Sequence, residues 1–179
     1  MTQQKYNVAP IRAMITKEGH EVGFVEFNNN WANNWNAVLT LSFFSSELPQ
    51  EIKFYGTAPR VAEAIKEAEE AMAHVATQLM QQFKLLENKE GFELKGNDHY
   101  FAILSNGNMI GKCVKDAGEW GEWVAIIQIQ YKYFIEQSIQ IYGFGTSKAA
   151  AITDALPKIT QVINQLKHQL SFFQLPAGA

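Results

Sequence analysis

Trp35-Asn-Ala-Val-Leu-Thr-Leu-Ser-Phe43 and Trp123-Val-Ala-Ile-Ile-Gln-Ile-Gln-Tyr131 are the two stretches on which the fold turns. In each, apolar residues recur at every second position, the period of a strand with one buried face. They lie 88 residues apart, and the same offset sets Gly19 on Gly107 and Gly23 on Gly111. At an offset of 87, Ile52-Lys-Phe-Tyr-Gly56 falls on Ile139-Gln-Ile-Tyr-Gly143. That register then runs on through a helical stripe: Ile65 on Ile152, Met72 on Ile159, Val75 on Val162, Leu79 on Leu166, Phe83 on Leu170 and Leu86 on Phe173. Turn glycines, strands and a helix in nearly constant register predict a tandem duplication.

Each unit reads as four strands followed by a helix. The strands are expected at 10–17, 20–28, 35–45 and 51–56, then at 99–105, 108–115, 123–134 and 138–143. Lys17-Glu-Gly-His20 and Ser105-Asn-Gly-Asn108 supply tight hairpin turns. The first helix is expected from Ala58 to Leu86 with Thr57 as its cap, and the second from Ser147 to Phe173. Pro157 should kink or split the second. Residues 88–98, rich in Gly, Asn and charge, read as a linker between repeats 7–87 and 99–175 of one domain spanning 1–179. A helix of about 28 residues is about 42 Å long and outreaches a four-stranded sheet. Its surplus apolar stripe is expected to pack on the other repeat, giving an α+β pseudo-dimer of antiparallel sheets with two long, crossing helices.

Composition narrows the class. The chain has 47% hydrophobic and 18% charged residues, the balance of a folded protein and not of a disordered one. A single cysteine, Cys113, excludes an internal disulfide, and no Cys/His spacing suits zinc. The N-terminus lacks a basic region leading into an apolar run, and no apolar stretch approaches a membrane span. A cytoplasmic protein without a membrane partner is expected. The formal charge of −3 argues against coating nucleic acid by bulk electrostatics. Much of the acid is local to the first helix, however, as Glu63, Glu67, Glu69 and Glu70.

Alternation divides the strand residues between two faces. The inward face is read as apolar, from Ala13, Ile15 and Val25 through Ile139 and Ile141. The outward face carries Arg12, Phe24, Lys53 and Tyr55 in the first unit and Tyr100, Lys112, Lys132 and Tyr142 in the second, with Glu26 as its acid. Rings stack bases, cations meet phosphates, and the neighbouring Gln, Ser and Thr side chains hydrogen-bond adaptably, which is the chemistry single-stranded nucleic acid requires. The same residues also suit any solvent-facing sheet. Trp31 and Trp120 are added as candidate contacts in the loops before the third strands, whereas Trp35 and Trp123 are assigned to packing.

No catalytic set emerges. His20, His74, His99 and His168 lack a linked nucleophile or carboxylate, and Gly143-Phe-Gly-Thr-Ser-Lys148 lacks the ending of a phosphate loop. A non-enzymatic protein without cofactor or metal is expected.

The order of four strands and a helix, twice over, resembles the Whirly and PUR families of single-stranded DNA-binding regulators and the related guide-RNA-binding proteins. The likeness is one of topology across nearly the whole chain. Of the Whirly strand motif, Ile110-Gly-Lys-Cys-Val114 retains a Gly-Lys step. The resemblance implies binding of single-stranded DNA or RNA across exposed sheet faces, with assembly into homo-oligomers. The alternative expectation is a protein-interaction module of phage or mobile-element type, acting through the Trp loops and sheet edges. A third is a carrier of an apolar ligand between sheet and helices.

Overall fold

Alternating apolar residues and glycine turns produce β1 (Arg12–Lys17), β2 (His20–Asn28), β3 (Asn34–Phe44) and β4 (Pro49–Ala58), followed by α1 (Val61–Glu87). The second series is β5 (Phe92–Gly96), β6 (Tyr100–Ser105), β7 (Asn108–Lys115), β8 (Trp123–Lys132) and β9 (Glu136–Gly145), followed by α2 (Lys148–Ser171). The structure, a computed structural model, describes residues 11–28, 34–45, 49–87, 92–115 and 122–173. The strands form two antiparallel sheets, ordered β1-β2-β3-β4 and β5-β6-β7-β8-β9, so the class is α+β.

The hairpins are closed by the same device. Glu18 and Gly19 have φ of 51° and 83°, and Asn106 and Gly107 have φ of 50° and 77°. Two successive positive-φ residues make the turn whose twist matches paired strands. Each hairpin also carries a bulge at the same point: the register slips between Ile15 and Thr16, and again between Ile103 and Leu104. Val22 and Ile110 are the extra residues, and both are buried.

The described chain divides into two compact units, one made of residues up to Thr40 with Ile52–Met72, the other of Leu41–Glu51 with the chain from Ala73 onward. In the first, Ile15, Val25, Leu39 and Phe54 are buried together with Ala64, Ala68 and Met72 of α1. Glycine sets how closely the helix approaches. A Cβ at Gly56 would run into the carbonyl oxygen of Ala64 and stand 2.7 Å from the amide nitrogen of Ala68. Lys17 pairs with Glu69 at 2.6 Å, and Glu67 accepts the Thr57 N–H at 2.9 Å.

In the second unit α2 buries Ala151, Ala155, Ile159, Val162 and Leu166, and the β5–β9 sheet buries Ile103, Cys113, Ile127, Ile129 and Ile141. Here a Cβ at Gly143 would run into the carbonyl oxygen of Ala151 and stand 2.6 Å from the amide nitrogen of Ala155. Asp154 accepts the Phe144 N–H at 3.0 Å, as Glu67 does for Thr57. Helix side chains also close strand ends. The Gln78 carboxamide of α1 accepts the Lys132 N–H at 2.7 Å and donates to its carbonyl at 3.0 Å. From α2, Gln165 accepts the Phe44 N–H at 2.9 Å, and Gln169 accepts the Ser42 N–H at 2.8 Å and donates back to the Ser42 carbonyl. Lys167 and Glu87 join the two helices near their ends at 2.6 Å.

Several expectations change. The stretch 88–98 is not wholly a linker, because β5 pairs Phe92–Gly96 with Ser105–Phe101 of β6. Thr57 is not a helix cap: it lies in β4, with its hydroxyl donating to Asn36 at 3.0 Å, and α1 begins after Pro59 and Arg60. Ala13 is exposed instead of inward, since β1 is an edge strand with little above it. α2 is one helix through Pro157, capped by the Ser147 hydroxyl, which accepts the Ala150 N–H at 3.1 Å.

Two outcomes are expected from these contacts. Gly143→Ala forces backbone apart in a packed layer and should cost about 1–3 kcal/mol, read as a fall in the urea midpoint at unchanged slope. The hydrogen bond from Lys158, at 2.6 Å, and that from the Phe144 N–H hold the Asp154 carboxyl below the ordinary aspartate range. Because the folded value is the lower one, this stabilisation is complete above the unfolded aspartate value and is lost as pH falls through the folded one. Asp154→Asn should therefore lower stability at neutral pH by no more than about 1 kcal/mol and converge on the parent in acid, as followed by unfolding curves across the acid range.

Candidate nucleic-acid interface

α2 packs on one face of the β5–β9 sheet, so alternate side chains of those strands point away from it. Strand register orders them into rows. One row runs Tyr100, Val114, Val124 and Phe144 from β6 to β9. The next runs Lys95, Ala102, Lys112, Ile126 and Tyr142 from β5 to β9. Neither row contains a carboxylate. The three rings stand open, with Tyr100 41% exposed, Tyr142 37% and Phe144 53%.

The cations in and beside these rows differ in how they are held. Lys112 is half-buried between Ala102 and Ile126 and makes no ion pair with another described residue. Lys95 stands 3.5 Å from Glu93, two residues earlier on the same strand. Lys158 reaches from α2 to the free edge of β9, donating to the Tyr142 carbonyl at 3.0 Å with its ammonium 5.7 Å from the Phe144 ring centre. The Tyr142 hydroxyl donates to Gln140. The surface is thus a ring at either side of the sheet, a lysine at its middle and another at its β5 edge.

Further along the strands the face turns amide-rich and then mixed, through Gln128–Gln140 and Gln130–Ser138 to Lys132–Glu136. Lys132 therefore lies three rows from Tyr142, opposite a carboxylate, and not with the other candidates. Of the expected residues, Tyr100, Lys112 and Tyr142 fall in the two adjacent rows. Trp31 and Trp120 lie outside the described residues.

In the first sheet Arg12 stacks on Phe24, 3.7 Å above the ring centre, with Glu26 as its strand partner. Stacking leaves the edge of a guanidinium able to donate hydrogen bonds. Lys53 and the 52% exposed Tyr55 alternate outward along β4. Glu51 precedes Lys53 by two residues and follows the same alternation, so Glu26 is not the face's sole acid. Glu93 and Glu136 add to the count in the second sheet, because β5 and the start of β9 extend beyond the expected strands.

Trp35 and Trp123, expected to pack, are half-buried and lie against rings of other strands in their sheets. Trp35 lies 5.1 Å from Phe27 and Trp123 5.9 Å from Phe101, measured between ring centres. The Lys148 ammonium sits 3.7 Å over Phe101 and 5.3 Å over Trp123, closing the inward side. Burial raises the Cys113 thiol above its ordinary value, and the positive charge of Lys148 partly counters this. Among the described residues no helix is long and apolar enough to cross a membrane.

Phe144, Lys95 and Lys158 are additions to the site. Phe144 was within reach of sequence reasoning, since it continues the alternation of Gln140 and Tyr142. Lys95 was hidden by the glycine and asparagine around β5, and Lys158 by its place on a helix. No protein-family model matches the chain, and no curated protein matches it in sequence.

Proposed function

We propose that this protein binds single-stranded DNA or RNA, without catalysis, along the outward face of the β5–β9 sheet. The observation that carries this reading is the pair of adjacent rows in which Tyr100, Tyr142 and Phe144 stand with Lys95 and Lys112 and no carboxylate. Open rings offer stacking surfaces to unpaired bases, and a lysine set among them offers a counter-charge to the linking phosphates. A duplex hides its base faces, so this surface favours single strands. The strand order that resembles Whirly and PUR proteins points the same way, and self-assembly into oligomers belongs to the same proposal.

A second reading, a protein-interaction module, is favoured by the β8–β9 turn, where Phe134 is 79% and Ile135 67% exposed. An apolar pair so far from cover is a recognised feature of protein contacts. The two readings separate on the placement of the energy: rings and lysines on the sheet in one, the turn in the other.

Fluorescence anisotropy of labelled oligonucleotides at stepped salt decides between them. Binding should weaken with salt, and Lys112→Gln should flatten the log–log slope by about 0.7. Tyr100→Ala with Tyr142→Ala should cost about 1–3 kcal/mol per stacked base while circular dichroism stays unchanged. Phe134→Ser should leave the affinity alone. Absence of binding at low salt rules the proposal out.

A further inference from the structure

Beyond the ring-bearing rows, the second unit holds a cleft of about 470 Å³ between α1 and the far ends of β8 and β9. Its walls are mostly carboxamide. Gln78, Gln81 and Gln82 come from α1, and Gln128, Gln130 and Gln137 from the strands, with Lys132 and Glu136 at the margin. Some of these amides are committed. Gln78 holds the Lys132 backbone, and Gln137 accepts the Tyr131 hydroxyl at 2.7 Å. The side chains of Gln81, Gln82, Gln128 and Gln130 make no hydrogen bond to another described residue.

From these unspent groups we infer that the cleft is a nucleobase pocket that takes one base of the bound strand. Each carboxamide presents two donors and an acceptor in one plane. A ligand that satisfies several of them must carry both kinds of group on a planar edge, as a base does. An apolar ligand would leave the amides unmatched, and an anion would leave their acceptors unmatched and meet Glu136 beside Lys132. Among the bases adenine fits best, because its N6–H donor and N7 acceptor pair with a single glutamine in two hydrogen bonds. Position supports the assignment. Gln128 and Gln130 continue the outward face beyond Ile126 and Tyr142, so the first amide row lies about 7 Å along the strands from the ring-bearing one.

This inference deepens the proposed function, and its test separates the two. Side-chain amide resonances are followed by NMR while each of the four nucleoside monophosphates is titrated into the full chain. AMP should move the Gln82, Gln128 and Gln130 signals most. The shifts should vanish in Gln82→Leu/Gln130→Leu and persist in Tyr100→Ala/Tyr142→Ala. With oligonucleotides, an abasic site at one position should lower affinity about 5- to 100-fold in the parent and not in the glutamine variant. Gln82→Glu/Gln130→Glu, isosteric and chosen in case leucine disturbs the fold, should abolish the AMP shifts likewise. Amide signals that stay still with every monophosphate overturn the pocket even if oligonucleotides bind. AMP shifts without oligonucleotide binding keep the pocket and sink the sheet interface. A short peptide amide that moves the same signals more strongly than AMP reassigns the cleft to peptide and overturns the inference.

Discussion

A strand that outruns its neighbour leaves backbone donors and acceptors with nothing to pair, and the second unit is organised around that constraint. β7 pairs with β8 only as far as Ile127, whereas β8 continues to Lys132. The exposed edge is closed at its end by a side chain, the Gln78 carboxamide, which acts on Lys132 as a backbone amide would. Gln165 and Gln169 do the same for Phe44 and Ser42 at the end of β3. A side-chain clamp differs from a neighbouring strand in one respect that matters here. It touches the edge at a point and leaves space beside it, and in β8 that space is the glutamine-lined cleft.

Glycine sets the other distance. At Gly56 and Gly143 the helix backbone approaches so closely that no Cβ fits, and a helix carboxylate accepts the N–H of the residue that follows each glycine: Glu67 from Thr57 and Asp154 from Phe144. Two Tyr-Gly pairs noticed as sequence identities therefore have a packing cause. With the helix held tightly against one face by the glycine, the tyrosine before it is directed to the other. The inward fit and the outward ring are consequences of a single dipeptide.

What could be read from sequence was whatever obeys a period or a local steric rule. The alternation around Trp35 and Trp123, the paired glycine turns and the helical stripe from Met72 to Leu86 all do, and the strands and helices fall near their expected places. The lapses occurred where neighbours decide. β5 is short and bounded by Gly96 and Asn97, so its pairing with β6 has no signature of its own. Ala13 has an inward address but lies on an edge strand, where address does not secure burial. Thr57 had the chemistry of a cap, yet the strand continued through it to Ala58. Of the candidate site, Tyr100, Lys112 and Tyr142 were legible because alternation assigns a face, while the cleft was not, since it joins residues more than 40 positions apart.

The overall charge of −3 bears on this site less than the arrangement within it. Interactions between exposed charges fade beyond about 8–10 Å at ordinary ionic strength. The acid of α1 that dominates the sum includes Glu69, already paired with Lys17, and Glu70, paired with Lys66. What a phosphate near Lys112 would feel depends first on its own rows, which hold Lys95 and Lys112 and no carboxylate, although Lys95 is itself paired with Glu93 on the same strand. Two lysines would give a bound strand only a modest electrostatic hold, so the proposed binding would draw the remainder from stacking and from hydrogen bonds to base edges. On the proposed function, the cleft of unspent amides one row beyond the rings would supply the second of these and shift the balance of recognition from charge toward the identity of the base.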